Sequence, residues 1–267
     1  MSGYRFFDKN GTFELNDPDL YSYLYFPVGA ESGMMGAVTP ELGGDLKTSQ
    51  NTFVLEPTSS DNLHNNRSTR NFWICLDDGN LVSATGASAM QHARRFTAEK
   101  DKVTLRGGLL YQSVEREIIG TGLKTEVTTF VPVETKDRIE LTLVKITNNS
   151  EKAISFTPTC ATPIYGRSAD NIRDHRDVTS MLNRMTVTEY GVTNDPTLTF
   201  DERGHRRNKV IYGFFAAEGN GTKPVSFCPI AEDFIGEGGA FDNPRFPVTG
   251  EPSSKPGCAA DTVHRPN

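Results

Sequence analysis

Alternation constrains this chain more than any other feature. Apolar or β-branched residues recur at every second position in FVLEP at 53–57, RNFWICL at 70–76, KVTLRGGLLYQSVERE at 102–117 and LKTEVTTFVPV at 123–133. The same holds for RIELTLVKITN at 138–148, ISFTPTC at 154–160, MTVTEY at 185–190, TLTF at 197–200 and VIYGFFAAE at 210–218. A period of two puts successive side chains on opposite faces of an extended strand, so one face can be buried while the other meets water. Turn-forming clusters divide the runs: Asp8-Lys-Asn-Gly, Asp77-Asp-Gly, Arg106-Gly-Gly, Gly120-Thr-Gly, Asn148-Asn-Ser and Gly219-Asn-Gly. Short strands with this punctuation specify an antiparallel all-β fold rather than βα units. About fifteen strands exceed an immunoglobulin-sized sandwich. The expectation is therefore a large two-sheet antiparallel sandwich, with helix confined to 87–96 and 174–182.

The chain has 267 residues, enough to bury a core as one large domain. Its net charge of -6 and interspersed signs leave no basic excess to displace counterions from a nucleic acid. No basic and then apolar leader opens MSGYRFFDKNGTFEL, and no apolar run reaches the roughly 18 residues of a membrane span. These features place the chain in the cytoplasm. Cys75, Cys160, Cys228 and Cys258 lie far apart, and the first three read as small buried apolar residues. Residues 1–250 read as the sandwich. Residues 251–267, EPSSKPGCAADTVHRPN, lose the alternation and read as a linker or a non-native tail.

Short catalytic signatures are absent. There is no G-x-S-x-G elbow, no grouped Cys and His for a metal, no Walker loop and no dinucleotide fingerprint. Three polar blocks remain. The first, YGRSADNIRDHRDVTSMLNR at 165–184, is dense in arginine, aspartate and asparagine. It reads first as a solvated salt-bridged connection, then as an interface loop, then as a ligand contact in which arginine forks meet phosphate or carboxylate. The second, FDERGHRRNKV at 200–210, reads as a charged hairpin loop, with His205 a surface histidine. The third, at 229–248, holds Glu232, Asp233 and Glu237. A glycosidase would need two such carboxylates flanking a sugar, but a glycine-rich turn sequence is the plainer reading. Trp73 reads as core rather than as a sugar platform.

Five stretches together resemble the N-terminal β-sandwich domain of glycoside hydrolase family 94, formerly glycosyltransferase family 36, the cellobiose- and laminaribiose-type phosphorylases. They are YRFFD…GTFELNDPDLYSYLYFP, GMMGAVTPELGGDLKTSQNTF, RNFWICLDDGNLVSATG, GLKTEVTTFVPVETKDRIELTLVKITNNSEKAISFTP and the 165–184 block. The similarity is collinear over about residues 4–248. It implies a galactose mutarotase-like super-sandwich followed, outside these residues, by a helical linker and an (α/α)6 catalytic barrel. It also implies a homodimer acting on a β-linked glucose disaccharide or oligosaccharide, with inorganic phosphate as co-substrate and no other cofactor. No catalytic role and no metal ligand carry over to any residue here. The resemblance assigns Tyr165, Arg167, Asp170, Asn171, Arg173, Asp174, His175, Arg176, Asn183 and Arg184 to an interface or to the rim of a sugar site. A free-standing carbohydrate-binding module and a small mutarotase-like enzyme are the alternatives. The latter would need His175 or His205 in a pocket facing Glu232 or Asp233.

Overall fold

The computed structural model describes residues 3–21, 24–59, 69–172, 181–201 and 204–250. A hairpin of β1 (Tyr4–Phe6) and β2 (Phe13–Asn16) opens the chain. A four-stranded antiparallel meander follows: β3 (Phe26–Gly29), β4 (Met35–Val38), β5 (Leu46–Ser49) and β6 (Thr52–Leu55). Next come β7 (Asn71–Leu76), β8 (Leu81–Ser83) and the short helix α1 (Ala89–Arg94). The long strands β9 (Lys102–Gly108), β10 (Tyr111–Ile118), β11 (Leu123–Phe130) and β12 (Leu141–Asn148) join the first hairpin in a six-stranded sheet, ordered β1-β2-β9-β10-β11-β12. β13 (Phe156–Ala161) returns to pair with β7, making a third sheet, β13-β7-β8.

Beyond it, β14 (Asn183–Val187), β15 (Gly191–Pro196) and β18 (Tyr212–Phe215) form a smaller sheet, while β16 (Leu198–Asp201) and β17 (Gly204–Arg207) form a hairpin. Helices α2 (Ala231–Ile235) and α3 (Phe246–Thr249) close the described chain. The all-β expectation holds: the structure is mostly strand in antiparallel sheets with three short helices among the described residues. α1 falls inside the helix expected at 87–96. The second expected helix lies largely outside the described residues. α2 and α3 stand where the sequence reads as turn.

Alternation in β10 and β11 turns Val114, Ile118, Leu123 and Val127 inward. Ile118, Leu123 and Val127 share one core with Val28, Val38, Leu46 and Leu55 of the meander and with Ile74 and Val82 of β7 and β8. Apolar side chains from facing sheets thus interdigitate, as a sandwich requires. Trp73 is 1% exposed and belongs to the interior, as expected. Removing an indole of about 200 Å² from water is worth on the order of 5 kcal/mol before conformational entropy is counted.

Two buried ion pairs lock the layers. Arg70 on the approach to β7 is 4% exposed and grips Glu140 with two parallel bonds, Nε–Oε1 2.5 Å and Nη2–Oε2 2.8 Å. Its remaining donors reach the carbonyls of Leu42 and Asp45, so the guanidinium ties the turn after β4 to the entry of β12. On the inner face of β10, Arg116 pairs with Asp101 at 3.1 Å. Asp101 also accepts from Gln91 of α1 and from the amide of Ile119.

Three expectations need correcting. Gly107, read as part of a turn, lies within β9, and the turn is Leu109-Leu110. A Cβ on Gly107 would stand 2.8 Å from the Phe13 ring, so the missing side chain is the seat of that ring. Of the three cysteines expected to be buried, Cys75 is; Cys228 is half-buried and Cys160 is exposed. Cys160 occupies an exposed position of β13, the edge strand of its sheet. The charged block at 200–210 supplies β17 itself rather than only a loop.

Candidate functional site

The block at 165–184 begins as an added strand against β6. Phe53 and Arg167 form an antiparallel bridge, with Phe53 N–H donating to Arg167 O at 3.0 Å and the reverse bond at 3.3 Å. Tyr165 N–H donates to Val54 O at 2.7 Å, and Ala169 N–H to Gln50 O at 3.1 Å. These bonds leave the backbone of 165–169 little freedom.

Side chains complete the anchor. Tyr165 is fully buried against Phe53, and its hydroxyl donates to Ser168 O at 2.9 Å. The Arg167 guanidinium carbon lies 4.7 Å from the centre of the Tyr165 ring, and its Nε donates to Tyr165 O at 3.2 Å. A buried cation is costly in a low dielectric unless it is compensated. The ring face and the carbonyl supply part of that compensation. The amide of Asp170 donates to Ser168 Oγ at 3.4 Å as the chain enters the 3-10 turn Ala169–Ile172.

The small sheet lies over this segment. Register puts Asn194 of β15 opposite Tyr212 of β18, and Asn183 of β14 opposite Pro196, two pairs further along β15. Asn183, Asn194 and Tyr212 are all buried. Gly166 has φ +64°, and a Cβ there would lie 2.5 Å from the Asn194 amide nitrogen. Only glycine fits both the left-handed backbone and that contact. Burial pushes the Tyr212 hydroxyl up to about 12, opposed by a hydrogen bond with Thr52. β6, segment 165–171 and the small sheet therefore form one polar-lined joint.

The structure divides the ten expected residues into three groups. Tyr165, Arg167, Asn171 and Asn183 are buried in the joint. Asp170 is half-buried and Arg184 exposed; Arg184 Nη1 donates to the carbonyls of Met181 and Asn183. Arg173, Asp174, His175 and Arg176 lie outside the described residues. Asn194, Tyr212 and Phe53 escaped the sequence reading, although an asparagine at an inward position of an alternating strand is the signal that marks Asn194.

Glu232 and Asp233 are neighbours on the five-residue α2, so their side chains diverge by about 100° instead of flanking a common space. His205 stands exposed on β17. Among the described residues, no group of three or more His, Cys, Asp and Glu could hold a metal ion. Among the described residues, no helix is long and apolar enough to cross a membrane.

A comparison with curated proteins finds no match. The family description that matches is "Glycosyl hydrolase 94, supersandwich domain", over residues 46–264. The match starts at the head of β5, later than the resemblance drawn from residue 4, and runs into the segment read as a linker or tail. It takes in both the joint and the long strands of the six-stranded sheet. The matched span covers most of the sequence and coincides with a many-stranded antiparallel sandwich: the chain belongs to glycosyl hydrolase family 94 and carries its supersandwich domain.

Proposed function

We propose that this domain serves an inverting phosphorylase of β-linked glucose disaccharides without carrying its chemistry. It borders the sugar site of a neighbouring subunit in a cytoplasmic homodimer. The remainder of the enzyme converts disaccharide plus inorganic phosphate into sugar 1-phosphate plus sugar. The observation that carries this reading is the joint beneath 165–184. Four buried polar side chains and the bridge to β6 hold the base of an arginine- and aspartate-rich segment, with Asp170 and Arg184 accessible at its two ends. A pre-set loop base suits contact with a ligand or subunit, because little ordering remains for binding to oppose. Acid–base chemistry would need two groups facing one reacting centre, and the carboxylates of α2 do not meet that geometry. The test is phosphorolysis of cellobiose and of laminaribiose by the 267-residue chain alone, followed by glucose 1-phosphate release. The expected result is no product above background. Turnover that scales with protein concentration would overturn the reading.

A further inference from the structure

Three side-chain atoms inside the small sheet carry hydrogen-bonding capacity that the protein itself does not use. Asn183 of β14 and Asn194 of β15 are 1% and 0% exposed. Asn183 Nδ2, Asn194 Nδ2 and Asn194 Oδ1 have no hydrogen-bond partner among the described residues. Tyr212, opposite Asn194 on β18, differs, because its hydroxyl is engaged with Thr52. Register sets both asparagines on one face of the sheet. Asn183 stands opposite Pro196 and Asn194 opposite Met185, so the two are diagonal neighbours across β14 and β15. Such neighbours lie roughly 7–8 Å apart along the backbone, within reach of one small molecule placed between their side chains. That face meets the 165–171 segment, since a Cβ on Gly166 would stand 2.5 Å from Asn194 Nδ2.

A buried amide without a partner has lost its hydration and gained nothing, and native interiors almost always supply a protein group or ordered water instead. The chemistry of the open atoms selects the ligand. Two amide nitrogens donate, one amide oxygen accepts, and all are neutral, so the set calls for a neutral molecule that both accepts and donates. Full burial leaves no mouth for a sugar ring. Water meets both conditions, and three open atoms match the about three bonds that a buried water makes.

We infer that the joint is a site for ordered water, with one molecule bridging Asn183 and Asn194. It accepts from Asn183 Nδ2 and donates to Asn194 Oδ1, tying β14 to β15 beneath Gly166. The two amides then act as a unit, although they do not touch. The test joins a high-resolution crystal structure of the 267-residue chain to urea unfolding of three variants. Solvent density should lie between the amides, within about 3.2 Å of both Asn183 Nδ2 and Asn194 Oδ1. Asn183→Ala and Asn194→Ala should each lower the unfolding midpoint, because each strips the water of a partner. The double variant should lose clearly less than the two single losses added together, since the second substitution removes a bridge already broken. Losses that simply add would overturn the inference. So would density in which each amide bonds directly to a protein group, with no solvent between them. The density of the parent chain decides the matter even where a variant fails to fold.

Discussion

Arg70 and Glu140 show how much of this molecule rests on single contacts. Each charge is buried, so removing one partner strands the other in a low dielectric. Arg70→Leu should cost about 3–5 kcal/mol, read as a lower midpoint in urea unfolding. The double variant Arg70→Leu/Glu140→Leu should recover a large part of that loss. If the single and double variants unfold at the same midpoint, the pair is not the cause. Gly166→Ala tests the joint in the same assay. The left-handed backbone and the collision with Asn194 together should cost about 2 kcal/mol. An unchanged midpoint would show that the joint yields freely. Sequence placed Trp73 in the core because a large ring on an alternating strand has few other places. It could not find the Arg70–Glu140 pair, because the partners are 70 positions apart and meet only once the sheet registers are set. The four buried members of the expected site were legible as a group but not as interior. Density of charge in a sequence does not reveal which side chains a neighbouring strand will cover.

At the scale of elements, α1 carries a pH dependence. Desolvation of the ring, as its neighbours crowd it, holds His92 below its ordinary value of 6.5, with Arg116 acting in the same direction; Asp242 and Asp19 oppose. The ring keeps 38% exposure with Glu41 Oε2 3.4 Å from its Nε2, so the shift is downward but modest in its effect on stability. As pH falls, the unfolded chain takes up this proton first. The contribution of His92 to stability is therefore present above about pH 6.5 and is lost as pH drops toward the folded value. Between about pH 7.5 and about pH 5.5, His92→Gln should show a shallower fall in unfolding midpoint than the parent chain. Parallel slopes would refute the assignment. Strands were the most legible elements. β6, β7, β11, β12 and β13 all fall within or beside their alternating runs. Two misreadings have separate causes. Glycine in β9 signals a turn until an aromatic ring needs its empty side. α2 and α3 are too short for helical periodicity to register in the sequence.

At the scale of the whole molecule, the small sheet covers the anchored base of 165–184, while Asp170 and Arg184 keep access to solvent. Alternation and turn spacing were enough to give the sandwich, and the collinear stretches were enough to give the family. How a loop meets a ligand was not legible, since that depends on which side chains the joint leaves uncovered. The described residues at its ends, Asp170 and Arg184, define the most direct measurement: calorimetric titration of the 267-residue chain with cello- and laminari-oligosaccharides. The account predicts weak binding, with Kd on the order of 1 mM, or about -4 kcal/mol. It also predicts that Asp170→Ala/Arg184→Ala abolishes the heat while the unfolding midpoint is unchanged. Binding that survives this double substitution would contradict the claim that the 165–184 segment borders the sugar, and so would an absence of heat at saturating sugar.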